Sequence, residues 1–214
     1  MIVLDFPESY QLLQKYHLPW VKTASFTSSQ KASQFIKKIG FPVVLKVNAP
    51  QIIHRTEKQG VITGINNQAD FLTAWQKLSP LLRETREAEM MVQKMEKGLE
   101  LAAGMKRDSQ FGPVIMFGLG GIFIEIFQDV SLRLAPFSRK VAEEMIKEIK
   151  AYPLLMGFRK RKPVDLEQLK SLLVNLSHLS LDHPEIQEID FNPIIANGRR
   201  INIVDAKFLR KVNF

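Results

Sequence analysis

Cysteine is missing from all 214 residues. Its absence excludes disulfides, thiolate nucleophiles and cysteine-ligated zinc or iron-sulfur centres together. Histidine is scarce. The four, His17, His54, His178 and His183, form no H-E-x-x-H helix, and only the last two are near neighbours, so a histidine-ligated metal is not expected. Long apolar runs are lacking as well. The longest, 113–127, is broken by Gly118, Gly120, Gly121 and Glu125, and it falls short of the roughly 18 uninterrupted residues that a membrane span requires. The N-terminal MIVLDFPESY has an early aspartate and no basic stretch ahead of an apolar block. It does not read as a secretory signal, and a cytoplasmic location without membrane contact is expected. No repeat, low-complexity tract or Pro/Gly/Ser linker divides the chain, so one body is expected rather than independent domains.

What is present is globular in proportion: 45% hydrophobic and 24% charged residues suffice for a sizeable core. Thirty basic against twenty-two acidic residues leave a net charge of +8, which suits a polyanionic ligand. The densest basic cluster, Arg159-Lys160-Arg161-Lys162, has no aromatic residues interleaved with it. A base-stacking platform needs them, so a small phosphorylated ligand is favoured over nucleic acid.

Hydrophobic spacing lays out an α+β chain. Asp5 with Pro7 and Glu8 signals a helix whose apolar stripe is Leu12, Leu13 and Tyr16, ending before Pro19. Ser28 or Ser29 caps a second helix carrying Ala32, Phe35, Ile36 and Ile39, with Gly40 placed to end it. The strand F-P-V-V-L-K-V follows, then a strand over 61–65, a helix with Phe71, Leu72, Trp75 and Leu78 on one side, and an extended segment over 90–95. From Leu99 the order changes to strands near 99–106, 113–118, 122–127 and 130–135, with helices after Ser138 and Asp165. Asp165 with Gln168 reads as a capping box. Leu166, Leu169, Leu172, Leu173 and Leu176 give that helix a buried face, and strands near 186–195 and 201–205 close the sheet.

Five places do not belong to a plain core. Lys46 lies inside V-V-L-K-V, where a buried ammonium invites a phosphate, unless its stem carries the charge out to water. Gly118-Leu119-Gly120-Gly121 is either a tight hairpin or a turn that lets backbone amides approach a ligand. Glu125 is set among Phe123 and Phe127, with Arg133 as a candidate partner. Asp190 and Asn192 in E-I-D-F-N-P precede Asp205, and adjacent antiparallel strands would gather their oxygens. Such hard ligands suit Mg²⁺; the alternative is an Asn-Pro turn and an edge aspartate. His54 follows the Lys46 strand in a polar stretch. There it is either a surface-loop histidine or a nucleophile toward phosphorus whose tautomer a carboxylate fixes.

Together these segments resemble the ATP-grasp subunit of ADP-forming acetyl-CoA synthetases, also called NDP-forming acyl-CoA synthetases. The likeness runs from Y-H-L-P through I-G-F-P-V-V-L-K-V, A-P-Q-I-I-H-R-T-E-K-Q-G-V, V-Q-K-M, the unbroken block from Arg107 to Glu125, R-L-A-P, Y-P-L-L, D-H-P-E-I and E-I-D-F-N-P. It implies an ATP-grasp fold, two α+β lobes closing on a nucleotide. The leading helix and connection would take 1–20, the N-terminal lobe 21–92 and the C-terminal lobe 93–214. It places Lys46 on the phosphates of ATP or ADP, Gln93, Lys94 and Met95 beside adenine, and Glu100 near the ribose. Arg107 and Gly118, Gly120 and Gly121 would face the phosphates or a partner's mobile loop, and Asn192 and Asp205 would bind Mg²⁺. By the same resemblance His54 receives a phosphoryl group and passes it to ADP, steadied by Asp190. The CoA-binding and acyl-transfer domains would sit on a separate α subunit, in an α₂β₂ assembly. The chain departs from the family pattern in A-P-Q before the histidine, H-R-T-E after it and Gln59-Gly60 ahead of Val61. Arg55 and Glu57 keep the charge types, and retained chemistry is expected. The competing readings are a noncatalytic regulatory ATP-grasp module and a basic nucleic-acid-binding module.

Overall fold

Asp5 accepts a hydrogen bond from the Glu8 amide at 2.8 Å, satisfying one of the orphan donors at the start of helix α1 (Phe6–Lys15). In the computed structural model, which describes residues 1–48, 60–84, 88–121, 129–157 and 162–212, contacts divide the chain into two compact units. Met1–Trp20 joins Lys97–Phe214 in the larger, and Val21–Glu96 forms the smaller. The leading helix is thus part of the larger unit. Leu13 and Leu18 enter its core, and Ile203 donates its amide to Pro19 O. An amphipathic helix of 10 residues cannot hold itself together in water and takes its stability from the face it buries.

The smaller unit is a four-stranded antiparallel sheet in the order β2 (Thr23–Phe26), β5 (Glu89–Lys94), β3 (Val43–Asn48), β4 (Val61–Ile65). Two helices, α2 (Ser29–Ile39) and α3 (Gln68–Glu84), belong to the same unit. Ala32 and Ile36 of α2 and Phe71, Ala74 and Leu78 of α3 pack with Val43, Leu45, Val47, Met90 and Val92. Gly40 ends α2 with φ 73°, a left-handed value that glycine takes without steric cost. Leu72 does not join the α3 stripe: it is 44% exposed, and the buried set is Phe71, Ala74 and Leu78. A step of three and then four residues keeps to one side of a helix, whereas 71 and 72 point about 100° apart.

The larger unit is an antiparallel sheet in the order β1 (Ile2–Val3), β11 (Ala206–Arg210), β9 (Ile186–Asn197), β6 (Leu99–Asp108), β7 (Gly112–Leu119), β8 (Val130–Leu134), with β10 (Arg200–Ile203) also paired to β9. Beside α1, its helices among the described residues are α4 (Arg139–Glu148), the single turn α5 (Tyr152–Leu155) and α6 (Leu166–Asp182). Leu101, Ala103, Met105, Ile115, Phe117, Ile189 and Phe191 form one core with Ala142, Met145, Leu169, Leu172, Leu173 and Leu176. Since side chains alternate along a strand, Ala102, Gly104, Lys106, Glu188, Asp190 and Asn192 belong to the face away from the helices. Asp165 caps α6 through the Glu167 and Gln168 amides, but the box is not closed. The Gln168 side chain donates to Asp165 Oδ2 and Arg199 O, and the Asp165 amide goes to Gly198 O. The expected last strand over 201–205 corresponds to β10, which ends at Ile203, and after Val204 and Asp205 comes a further strand, β11, that was not expected. The expected strand over 122–127 lies outside the described residues, as does Glu125; Arg133 is paired with Glu148 at 2.7 Å. Among the described residues no helix is long and apolar enough to cross a membrane.

Candidate functional site

In the smaller unit, register decides which candidates share a face. Lys46 stands opposite Met91 and Val44 opposite Gln93, while Thr23 and Ser25 of β2 stand opposite Gln93 and Met91. Val43, Leu45, Val47, Met90 and Val92 supply the core, so Lys46 and Gln93 lie together on the other face of the sheet. Both are buried, at 7% and 0% exposure. Gln93 donates to Thr23 Oγ1 at 3.1 Å. An ammonium and an amide fixed on neighbouring central strands make a rigid polar surface. Lys94 alternates to the opposite side, where its Nζ donates to Gly40 O and Phe41 O at 3.0 and 2.7 Å. Its charge therefore sits at the C-terminal end of α2, where the helix dipole favours a cation. Met95 is tied by its amide to Pro42 O. His54 lies outside the described residues.

In the larger unit, Glu100, Gly120, Gly121 and Asn192 meet at one point. The Gly120 amide donates to Glu100 O at 2.9 Å, and the Gly121 amide is 3.4 Å from Asn192 Oδ1. Gly121 has φ +62°, and a Cβ there would lie 2.5 Å from Glu100 Oε2. The backbone conformation calls for glycine, and the Glu100 carboxylate, the end of a flexible side chain, would have to shift to admit a Cβ. Gly118 sits earlier on β7, opposite Ala102, where a Cβ would come within 2.5 Å of Asp129 O.

Asp190 shares the open face of β9 with Glu188 and Asn192 and stands opposite Gly104 on one side and Lys207 on the other. Burial pushes its carboxyl up, the charges of Asp205 and Glu188 push the same way, and Lys207 opposes them. Asp205 precedes Ala206, which pairs with Phe191 between Asp190 and Asn192, and its charge reaches Asp190. Asn192 and Asp205 offer only hard oxygens. The surplus negative charge around Asp190 is of the kind a divalent cation relieves, so the donor set fits Mg²⁺.

Arg107 is placed elsewhere. Its odd position on β6 turns it to the helix side, where the guanidinium donates to Ser180 O, His183 O and Ile186 O and so closes the C-terminal end of α6. Its sequence neighbourhood gave no sign of this, because the three carbonyls lie more than seventy residues away. Lys207 and Glu188 are the residues that the sequence reading passed over. The alternation in E-I-D sets Glu188 beside Asp190, but Lys207 emerges only once 206–210 is seen as a strand of its own.

Residues 2–209 match the ATP-grasp domain. The chain belongs to the ATP-grasp domain family. It is 41% identical to the beta subunit of acetate–CoA ligase [ADP-forming] I of Pyrococcus furiosus over 95% of this chain and 90% of that subunit. It is 39% identical to acetate–CoA ligase [ADP-forming] I of Archaeoglobus fulgidus over 94% of this chain but only 30% of that longer protein. Among solved structures, the ATP-grasp chain superposes on dinucleotide-forming acetyl-coenzyme A synthetase 1 of Ca. Korarchaeum cryptofilum, in complex with coenzyme A and Ca-AMPCP, with a TM-score of 0.90. The identity is 39%, with coverage of 98% of this chain and 94% of that one. A second structure of that enzyme holds coenzyme A and Mg-AMPPCP, with its phosphohistidine segment pointing towards the nucleotide-binding site. It matches with a TM-score of 0.84 at 38% identity, over 97% of this chain and 92% of that one. The expected α+β ATP-grasp fold is the fold observed.

Proposed function

We propose that this ATP-grasp chain is the nucleotide-binding β subunit of an ADP-forming acetate or acyl-CoA ligase, working with a separate α subunit in an α₂β₂ assembly. The observation that carries the reading is the grouping of Asp190, Asn192 and Asp205 beside the Gly120–Gly121 turn. Carboxylates and an amide oxygen of this kind would suit a histidine and the Mg²⁺ of a polyphosphate, which supports the reading. The relatives support the division of labour. A separate β subunit is matched over 90% of its length, whereas the single-chain ligase is matched over only 30% of its own.

The overall reaction is acyl-CoA + ADP + phosphate ⇌ carboxylate + ATP + CoA. The α subunit would exchange CoA for phosphate and hand the phosphoryl group to His54. In the second half, the P–N bond to the imidazole breaks as a terminal phosphate oxygen of ADP forms the new P–O bond. The ring, protonated on its other nitrogen while it carries the phosphoryl group, leaves as neutral imidazole and keeps that N–H. Asp190 would accept from the other ring N–H, holding one tautomer and one orientation. Lys46 would bind the phosphates, and the Gln93 to Met95 segment would line the adenine. Glu100 would hold the ribose, and the glycine turn, whose Gly120 and Gly121 amides go to Glu100 O and Asn192 Oδ1, would face the phosphates. Mg²⁺, held by Asn192 and Asp205, would supply charge neutralisation at the phosphates. With the reacting atoms aligned, most of the rate enhancement comes from positioning and electrostatics.

The test is to reconstitute the chain with its α partner and measure ATP formation from acetyl-CoA, ADP and phosphate. His54→Ala should abolish turnover while calorimetry still records nucleotide binding. Undiminished turnover removes His54 from the reaction, and absence of adenylate binding by the native complex removes the reading as a whole.

A further inference from the structure

Strand β8 is the last of its sheet: β7 pairs with one side of it, and no described strand pairs with the other. Such an edge offers main-chain groups to any extended segment, and proteins ordinarily blunt it with an outward charge, a proline or a very short strand. The opposite edge, β1, is only two residues long. β8 has five, V-S-L-R-L, and the ladder shows which of their groups point outward. Ala135 donates its amide to Pro113 O at 2.9 Å, so the hydrogen-bonded pairs with β7 are 113/135, 115/133 and 117/131. The N–H and C=O of Val130, Leu132 and Leu134 are therefore turned away from β7. Leu132 O accordingly accepts from the Arg133 guanidinium at 2.8 Å, and it keeps a second lone pair. These three residues carry their side chains on the face away from the helices, and there Leu132 and Leu134 are 55% and 52% exposed. On the helix side Arg133 pairs with Glu148, which also accepts from Ser131 Oγ at 2.7 Å.

We propose that β8 is the contact through which two copies of this chain associate, their β8 strands pairing antiparallel about a two-fold axis centred on Leu132. The occupant is a second copy because the strand is complementary to itself, in charge and in apolar pattern. Centred on Leu132, the pairing sets Leu132 against Leu132 of the second copy and Leu134 against Val130, which joins two apolar rows. It sets Arg133 against Ser131, whose hydroxyl is already held by the Glu148 carboxylate, so each guanidinium meets negative charge in the other copy. Other registers are poorer. Centring on Arg133 opposes two guanidiniums, and centring on Leu134 puts Pro136, which has no amide, opposite Leu132. Centring on Ser131 carries Leu134 past the end of the other strand. The inference goes beyond the nucleotide-binding reading and does not depend on it; in an α₂β₂ assembly this contact would join the two β subunits.

Sedimentation velocity of the whole chain, without an α partner, tests this at up to about 100 μM, since interfaces at the small end of the range dissociate near micromolar concentrations. The native chain should be dimeric. Leu132→Lys and Leu132→Glu each set like charges against one another and should weaken the dimer by about 100-fold. Mixed in equal amounts, the two variants should dimerise with each other, because opposite charges then meet. Val3→Lys, on the β1 edge, should dimerise as the native chain does. Hydrogen exchange reads the pairing itself: protection over 130–134 should rise with the concentration of the native chain and stay flat in Leu132→Lys. Melting temperatures of the variants report on folding. A monomeric native chain overturns the inference, and if Leu132→Lys then fails to bind the α partner, the edge belongs to that subunit instead. A native dimer that Leu132→Lys leaves intact, or that Val3→Lys dissolves, overturns it as well. So does a mixture of the Lys and Glu variants that stays monomeric, or a native dimer whose protection over 130–134 does not change with concentration.

Discussion

The Gly121 amide points at Asn192 Oδ1 from 3.4 Å, so a turn between strands and a side chain 71 residues further on are fixed to each other. Asn192 has a structural duty there beside any role toward a cation. Asn192→Leu removes the acceptor and should weaken nucleotide binding about tenfold, while Asn192→Asp keeps an acceptor oxygen and should bind near the native level. Isothermal calorimetry with ADP and Mg²⁺ measures both. Equal losses in the two variants would show that the amide contact does not govern the turn.

A side chain at Gly121 carries two separable costs. Gly121→Ala should destabilise the chain by about 1–2 kcal/mol from the left-handed backbone alone, and its Cβ would also meet Glu100 Oε2 at 2.5 Å. Adding Glu100→Ala relieves the second conflict and leaves the first, so the double variant should recover part of the lost denaturation midpoint. A double variant no more stable than Gly121→Ala would remove the steric share.

Asp205→Ala should raise the Mg²⁺ concentration needed for half-maximal ATP synthesis by about tenfold, since a cation with one or two protein ligands loses much of its hold with either. Titration of the reconstituted enzyme with Mg²⁺ decides it, and an unchanged requirement separates Asp205 from the metal.

Arg107 is expected to act on stability and not on nucleotide affinity. Its loss leaves the carbonyls of Ser180, His183 and Ile186 without their cation. Arg107→Met should cost about 2–3 kcal/mol in urea denaturation, the range for hydrogen bonds from a charged donor. The affinity for ADP should stay within about twofold of native, well under the 1.4 kcal/mol that a tenfold change represents. A large loss of affinity in a stably folded Arg107→Met would return the guanidinium to the phosphates.

The alkaline limb of stability should contain Tyr16. Its phenol is pushed up to about 12 by burial, by its hydrogen bond to Asp182 at 2.7 Å and by the charges of Asp182 and Glu185. A proton held more tightly in the folded than in the unfolded chain adds stability that is fully present below the unfolded value of 10.0 and fades as pH climbs toward 12. Tyr16→Phe should therefore narrow its deficit against the native protein between pH 9 and pH 12 in denaturant titrations. A deficit constant across that range would dissociate Tyr16 from the alkaline transition.

The elements with strong local signals were legible from the chain alone. The helix starts at Asp5, Ser138 and Asp165 fall where capping chemistry puts them, and Gly40 ends its helix as a left-handed residue. Strand alternation and spacing marked Lys46, Asp190, Asn192 and Asp205 as out of place in a plain core and left a plain alternative open for each; the burial of Lys46 was decided by the structure. Leu72 was misplaced because hydrophobicity marks candidates for burial, while helical geometry chooses among adjacent ones. Strand β11 was missed because the turn at Val204 and Asp205 lacks glycine and proline, the usual marks of a break.

Local composition and periodicity thus determined which segments are helices and strands and which side chains are chemically out of place in a core, since those properties depend on neighbours a few residues away. Which face of a sheet each of those side chains shares, and with whom, was decided only by tertiary register. Arg107 was drawn to the end of α6, Lys94 to the end of α2, and Lys207 was set opposite Asp190 by pairings between residues distant in the chain. A one-residue slip of a strand reverses every such assignment, and nothing within the strand's own sequence records which partner will fix it.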